Sequence, residues 1–237
     1  MEKAKKPEQY AIDFLLFSYF EVDLTDNVED MIDKAIEKAY RDATQQGAYN
    51  TLVKDNKEAS KEAQKSACKR IKNSLDNLPP KEEYNEWHAE LCKKITTEDY
   101  KKLNGIFSYG NAQKWVNMTM KYLYIFHGLM QFYNPAGDFE KNYGKKIESL
   151  ISVLHVPVDR YIMQAASDEL HIDIPYKPDE NKNDKKGSYK EGKVKPWSKW
   201  NYDEYKKFQD DIRNAVICPI DWEGPAWIKV AQKRKVK

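Results

Sequence analysis

The sequence predicts an all-α protein built from many helices. Apolar residues recur at i, i+3, i+4 and i+7 through long stretches, which is the signature of one buried helix face. Prolines and glycines fall where those stretches stop. No segment carries a strand pattern stronger than its helix pattern, and no repeat is present.

The composition is that of a chain that should fold. Its 237 residues suffice for one core or two small ones. Aromatics make up 13% of it, with six Trp and sixteen Tyr, which argues against disorder. The net charge of +2 gives a weak overall field, so an anionic partner must be held by local patches. The three cysteines, Cys68, Cys92 and Cys218, are scattered without a C-x-x-C pair, as expected in a reducing compartment. The basic N-terminus leads into no apolar leader, and no run approaches the ~20 apolar residues of a membrane span. The expectation is a cytoplasmic monomer that does not enter a membrane.

The elements follow in order. Ala11 to Phe20 is apolar and reads as a buried first helix. Val28, Met31, Ile32, Ala35, Ile36, Ala39 and Tyr40 make one face of a second helix, with Asp26 as cap, Glu29 as its box partner and Gly47 as its end. Lys57 to Leu75 is a third, with a thin stripe of Ala63, Ala67, Ile71 and Leu75. Pro79-Pro80 stops it. Lys81 to Ile95 puts Tyr84, Trp87, Leu91 and Ile95 on one face, and Thr97 can cap a short helix through Leu103. Gly105 and Gly110 bracket a turn, after which a long apolar helix runs from about Asn111 to Phe126. Lys145 to Leu154 is helical until Pro157 breaks it, and Asp159 caps a helix through Leu170. Asp173 to Lys195 is rich in Lys, Asp, Asn and Gly and reads as a mobile loop or weak hairpin. Trp197 to Val216 returns to helix, with Asn201 as cap and Glu204 as box residue, and Asp221 can cap a last helix. The basic tail, Lys229 to Lys237, holds five cations and no acid. Four regions result: 1–104, 105–172, 173–196 and 197–237, which also fit one domain.

Familiar catalytic signatures are missing. There is no Walker loop, G-x-G-x-x-G, H-E-x-x-H or G-x-S-x-G. The four histidines are isolated, and none has metal-ligand spacing. No cofactor is expected.

Two phrases remain. One is Phe107-Ser108-Tyr109-Gly110-Asn111-Ala112-Gln113-Lys114-Trp115-Val116-Asn117-Met118, a turn that opens a helix with a lysine in its first turn. The other is His155-Val156-Pro157-Val158-Asp159-Arg160, an apolar-Pro-apolar-Asp run that opens another. A lysine near a helix N-terminus faces the positive end of the dipole, which favours the neutral, nucleophilic amine. An aspartate there is favoured as the anion, able to act as a base or steady a developing cation. The free N–H groups of the turn can hold a phosphate.

These residues resemble the helix-hairpin-helix DNA glycosylases, in particular the branch that repairs 8-oxoguanine. The resemblance covers about Gly105 to Leu170. It implies a helix-hairpin-helix glycosylase-like architecture acting on DNA with a modified or damaged base, in repair or in defence against phage. By it, Lys114 matches the catalytic lysine that attacks the sugar C1′ and forms a Schiff base. Asp159 matches the aspartate that steadies the oxocarbenium-like sugar, and Gly110 a hairpin glycine. Tyr109 and Trp115 are the nearest aromatics for stacking a flipped base, Gln113 and Asn117 can read its edge, and His155 and Arg160 complete the DNA contacts. The family's usual Leu-Pro-Gly-Val-Gly hairpin is replaced by Asn104-Gly105-Ile106-Phe107-Ser108-Tyr109-Gly110, and the 45 residues from Lys114 to Asp159 exceed its usual spacing. Gln131 to Gly144 can account for the excess.

Each residue also has a plainer role. Lys114 alone fits a surface or phosphate-contacting lysine, Asp159 a simple helix cap, and His155 a core histidine. Gln113 and Asn117 fit side chains that tie down a neighbouring loop, and the tryptophans fit the core. The alternative to an enzyme is a non-catalytic helical module that binds nucleic acid or protein. One geometric expectation separates the two: Lys114 and Asp159 should point into a common groove.

Overall fold

The computed structural model describes residues 6–23, 25, 27–44, 56–103, 105–177 and 189–235. Among these, nine α-helices occur: α1 Pro7–Phe20, α2 Val28–Thr44, α3 Lys57–Asp76, α4 Tyr84–Lys94, α5 Tyr109–Tyr133, α6 Lys145–Leu150, α7 Arg160–Leu170, α8 Tyr202–Ala215 and α9 Pro219–Lys235. Short 3-10 or π turns extend several of them. The all-α expectation holds. Among the described residues the nearest thing to a strand is an isolated antiparallel bridge, Tyr176 to Val194, in the segment expected as a loop or weak hairpin.

Helix α5 is the axis of the molecule. It is longer at both ends than the sequence pattern suggests, and every residue from Gly110 to Met120 is buried. No single face stands out in its sequence because neighbours cover it all round. Helix α2 packs along it and buries Ala35, Ala39 and Ala43. Trp115 fills the seam, donating its indole N–H to the Ile36 carbonyl at 2.9 Å, and Asn111 reaches the Ala43 carbonyl at 3.2 Å.

Two apolar clusters divide the chain near His155. The larger runs from Leu16 through Leu154 and adds Ile220. The second gathers Val156, Val158 and Ile162 with Trp197, Trp200 and Phe208. A small third cluster, Ala165, Ala226 and Val230, joins α7 to α9.

Several local expectations are corrected. Helix α1 buries only Leu16 and Phe20, while Tyr10, Phe14, Leu15, Phe17 and Tyr19 face outward. Thr97 does not start a helix; its hydroxyl donates back to the Lys93 carbonyl at 2.9 Å inside a π turn, Ile95–Asp99. Helix α5 begins at Tyr109, capped by Ser108, so Lys114 lies in the second turn rather than the first. Asp221 sits inside the first turn of α9 and accepts from the Tyr124 hydroxyl at 2.6 Å. The expected cap Asp26 and end residue Gly47 fall outside the described residues. Other caps stand as expected: Asp159 on α7, and Asn201 with Glu204 on α8.

Among the described residues no helix is long and apolar enough to cross a membrane, and the three cysteines are free thiols.

Candidate functional site

Lys114 and Asp159 meet. The Lys114 Nζ lies 2.9 Å from Asp159 Oδ2, although 45 residues separate them. Both line two adjoining clefts, of about 700 Å³ and about 590 Å³, so the pair stands at their junction. Asp42 also lines both.

The local sequence explains how each partner is held. Gly110 lies under the Trp197–Lys199 turn, where a Cβ would come within 2.2 Å of the Trp197 carbonyl oxygen and 2.8 Å of Ser198 Cα. Only glycine permits that approach. It lets the turn seat the Trp197 ring 5.6 Å from Lys114 Nζ. Ser108, the cap of α5, fixes the same turn by donating its hydroxyl to the Ser198 carbonyl.

Asp159 is set from the other side. Pro157 stops the preceding helical turn, and Val156 and Val158 bury fully in the second cluster. The Val156 carbonyl accepts from Asn117 Nδ2 at 3.1 Å and Gln209 Nε2 at 2.8 Å, while its N–H donates to Gln209 Oε1 at 3.1 Å. The chain therefore enters α7 in a fixed register, three residues before the carboxylate.

That carboxylate has four donors. Oδ1 accepts from the Tyr161 and Ile162 N–H groups at 2.9 and 3.0 Å. Oδ2 accepts from Lys114 and from the Trp227 indole N–H at 3.1 Å. Burial alone would raise the carboxyl's pKa. The Lys114 charge, the Ile162 N–H and the Trp227 N–H together outweigh it and hold the group below its ordinary value. The pair is only partly open to water, with side chains 7% and 19% exposed for Lys114 and Asp159.

More charge lines the larger cleft. Lys121, seven residues after Lys114 on the same face of α5, pairs with Glu223 at 2.5 Å. Glu223 is 2% exposed. Burial raises its carboxyl above the usual value, the Lys121 charge pulls it back, and the nearby Asp159 charge raises it further. Asp42 accepts from Lys38 at 2.8 Å and from the Tyr122 hydroxyl. Two lysine–carboxylate pairs thus line the cleft together with Asp42, whose own lysine, Lys38, is not among the lining residues, beside an apolar wall that includes Leu16, Phe20, Met118 and Ile125. The sequence does not single out Lys121 or Asp42, and it places Trp227 in the core and Glu223 in a Trp-Glu phrase able to hydrogen-bond into the core, without assigning either to this cleft. The i, i+7 spacing of two lysines along an apolar helix was the one available signal for Lys121.

The other residues proposed from the sequence do not gather at this junction. Trp115 is wholly buried against Ile36 and Tyr40, so it cannot stack on a base. Tyr109 packs edge-on to Tyr202, and its hydroxyl faces the Cys92 thiol. Gln113 donates to the Gly110 carbonyl at 2.9 Å and accepts from Asn117 at 3.0 Å. Asn117 also accepts a bond across to His88 at 2.8 Å and donates to the Tyr205 hydroxyl at 2.9 Å. Asn117 ties down the Val156 segment and Tyr205, and Gln113 holds the Asn117 amide within α5. His155 is buried on the far side of that network, against the Tyr205 hydroxyl at 2.6 Å, Asn85 at 2.8 Å and Arg213 at 3.0 Å. Gly110 acts through the close approach just described. Arg160 alone joins the pair at the cleft, exposed and stacked over Tyr161 at 5.0 Å.

Among the described residues no group of three or more His, Cys, Asp or Glu side chains is placed to hold a metal ion. No family model matches the chain, and neither a curated protein nor a solved structure is significantly similar to it.

Proposed function

We propose that the protein is a DNA N-glycosylase, with a lyase step open to its intermediate, that excises a modified or damaged base. The single observation that carries this is the Lys114–Asp159 pair: an amine from the second turn of α5 and a carboxylate that caps α7, in contact at the junction of two clefts. The tight turn before α5, with Gly105 at a φ of 78°, supports a hairpin-like entry to the lysine helix.

The chemistry follows from the pair. Lys114 rests as the ammonium beside the Asp159 anion. On substrate binding its proton passes to the departing base, which leaves with the electron pair of the C1′–N bond. Asp159 then faces the oxocarbenium-like sugar, whose charge it stabilises in a partly dry site. The neutral Lys114 amine bonds to C1′. Transfer of an amine proton to the ring oxygen opens the sugar and leaves a protonated Schiff base.

A second reading has its own support. With four donors, the Asp159 carboxylate is fully satisfied as a clamp joining α5, α7 and α9. On this reading the protein binds DNA without releasing a base. Borohydride treatment with duplexes carrying a panel of modified bases separates the two. The glycosylase account expects base release and a covalent protein–DNA adduct, both lost on Lys114→Gln, and release lost on Asp159→Asn. Release that survives both substitutions would overturn it.

A further inference from the structure

Beyond Asp159 the smaller cleft opens into a hollow of about 1130 Å³ between the start of α7, the end of α9 and the turn at Glu191. Arg160, Tyr161, Tyr189 and Glu191 line both spaces.

Two arginines converge there on one aromatic ring. The guanidinium carbons of Arg160 and Arg234 lie 5.0 and 5.2 Å from the centre of the Tyr161 ring. Arg234 is held in place, because its Nε and Nη2 both donate to Gln164 Oε1, at 3.1 and 2.7 Å. That leaves Nη1 directed at a carboxylate: both Glu191 oxygens lie 3.1 Å away. Arg160 Nη1 is 3.9 Å from the same carboxylate. One acidic side chain, 63% exposed, therefore bridges two guanidiniums.

The surroundings are unequal in charge. In the main cleft the two lining lysines, Lys114 and Lys121, each have their own carboxylate, and Asp42 adds a third. The hollow instead has Arg160, Arg234, Lys233 and Lys235 against Asp168 and Glu191. Paired guanidiniums favour planar or tetrahedral oxyanions that accept two donors at once, and a phosphate fits this geometry with more charge than a carboxylate. The floor is shared with the lysine–carboxylate pair: the Tyr161 N–H bonds Asp159, and the Tyr161 ring meets Trp227, itself bonded to Asp159.

We infer that Arg160 and Arg234, on the face of Tyr161, form a phosphate subsite in which Glu191 holds the anion's place, and that it takes a backbone phosphate of the DNA strand presented to Lys114. The identity of the strand as DNA rests on the function proposed above; the anion site does not. Glu191 acts as a built-in competitor that a phosphodiester displaces.

The test is binding, not turnover. Fluorescence anisotropy of a short fluorescein-labelled DNA duplex with an abasic-site analogue is measured across a salt series, with Lys114→Gln as the background so that no chemistry intervenes. Glu191→Gln should bind roughly fivefold tighter, since one like charge beside the phosphate is gone. Arg160→Gln, at an exposed position, should bind several-fold weaker. The Arg160→Gln/Arg234→Gln variant should bind roughly tenfold or more weakly and flatten the log–log salt slope by about one for each phosphate it no longer neutralises. Unchanged or weaker binding by Glu191→Gln would overturn the subsite, as would Arg160→Gln binding with wild-type affinity and slope. Saturable binding of inorganic phosphate without any effect of these variants on the duplex would overturn the assignment to DNA. Adduct formation failing while the Glu191 and Arg160 effects persist would instead strike the glycosylase proposal alone.

Discussion

Replacing Asp159 by Asn separates the three tasks of its carboxylate. An Asn cap can keep the bonds from the Tyr161 and Ile162 N–H groups, so the capping contribution need not change. The amide then turns an N–H₂ toward Lys114 and Trp227, which are both donors. Losing the indole bond costs about 1–2 kcal/mol. Leaving the little-exposed Lys114 charge without its partner adds about 2–3 kcal/mol, below the 3–5 kcal/mol of a fully buried pair because Asp159 keeps some solvent. The expected total is about 3–5 kcal/mol. Lys114→Met alone should cost less, because the carboxylate retains three donors. The double variant should recover about 1–3 kcal/mol relative to the sum of the two. Urea unfolding followed by circular dichroism at neutral pH gives all three values. A coupling energy under about 0.5 kcal/mol would refute the contact between these side chains and the electrostatics drawn from it.

Two further outcomes follow. Gly110→Ala must push the Trp197–Lys199 turn away from α5, and should destabilise by about 1–3 kcal/mol with a change in tryptophan fluorescence; a variant as stable as wild type would contradict the close approach. The histidine cluster predicts loss of stability in acid. Burial pushes the His88 imidazole down to about 4, and burial with the neighbouring His88 and Arg213 pushes His155 well below its ordinary value. Both are neutral in the fold, while the unfolded chain takes up their protons below about pH 6.5. Stability should therefore be full above pH 6.5 and fall toward pH 4, by up to about 1.4 kcal/mol per unit for each histidine. A urea midpoint that stays level from pH 7 to pH 4.5 would contradict this.

The helices were largely legible in the sequence because their apolar faces are periodic, as in α2, and because capping side chains such as Asp159 and Asn201 mark their starts. What the pattern hid was the environment of each face. Helix α5 is buried all round, so its length and its polar residues could not be sorted by periodicity. Gln113, Asn117 and Trp115 look available for a ligand, yet Gln113 is consumed by a bond back to Gly110 in its own helix, and Asn117 and Trp115 by tertiary bonds to Val156 and Ile36. Helix α1 is apolar on several sides but presents most of them outward. The Lys114–Asp159 pair could be anticipated from two helix starts. The parts that Glu223 and Trp227 play beside it could not, because both arrive from the far end of the chain, and nothing local there announces that Glu223 pairs with Lys121 on α5 or that Trp227 bonds Asp159 at the start of α7.

The central claim is that Lys114 attacks the sugar. Borohydride reduction during reaction with damaged DNA, followed by digestion and mass spectrometry of the trapped protein, locates the modified residue. The account predicts a deoxyribose remnant on the peptide that contains Lys114, absent from Lys114→Gln. An adduct mapped to Lys121 instead, or base release with no adduct on any lysine, would contradict it.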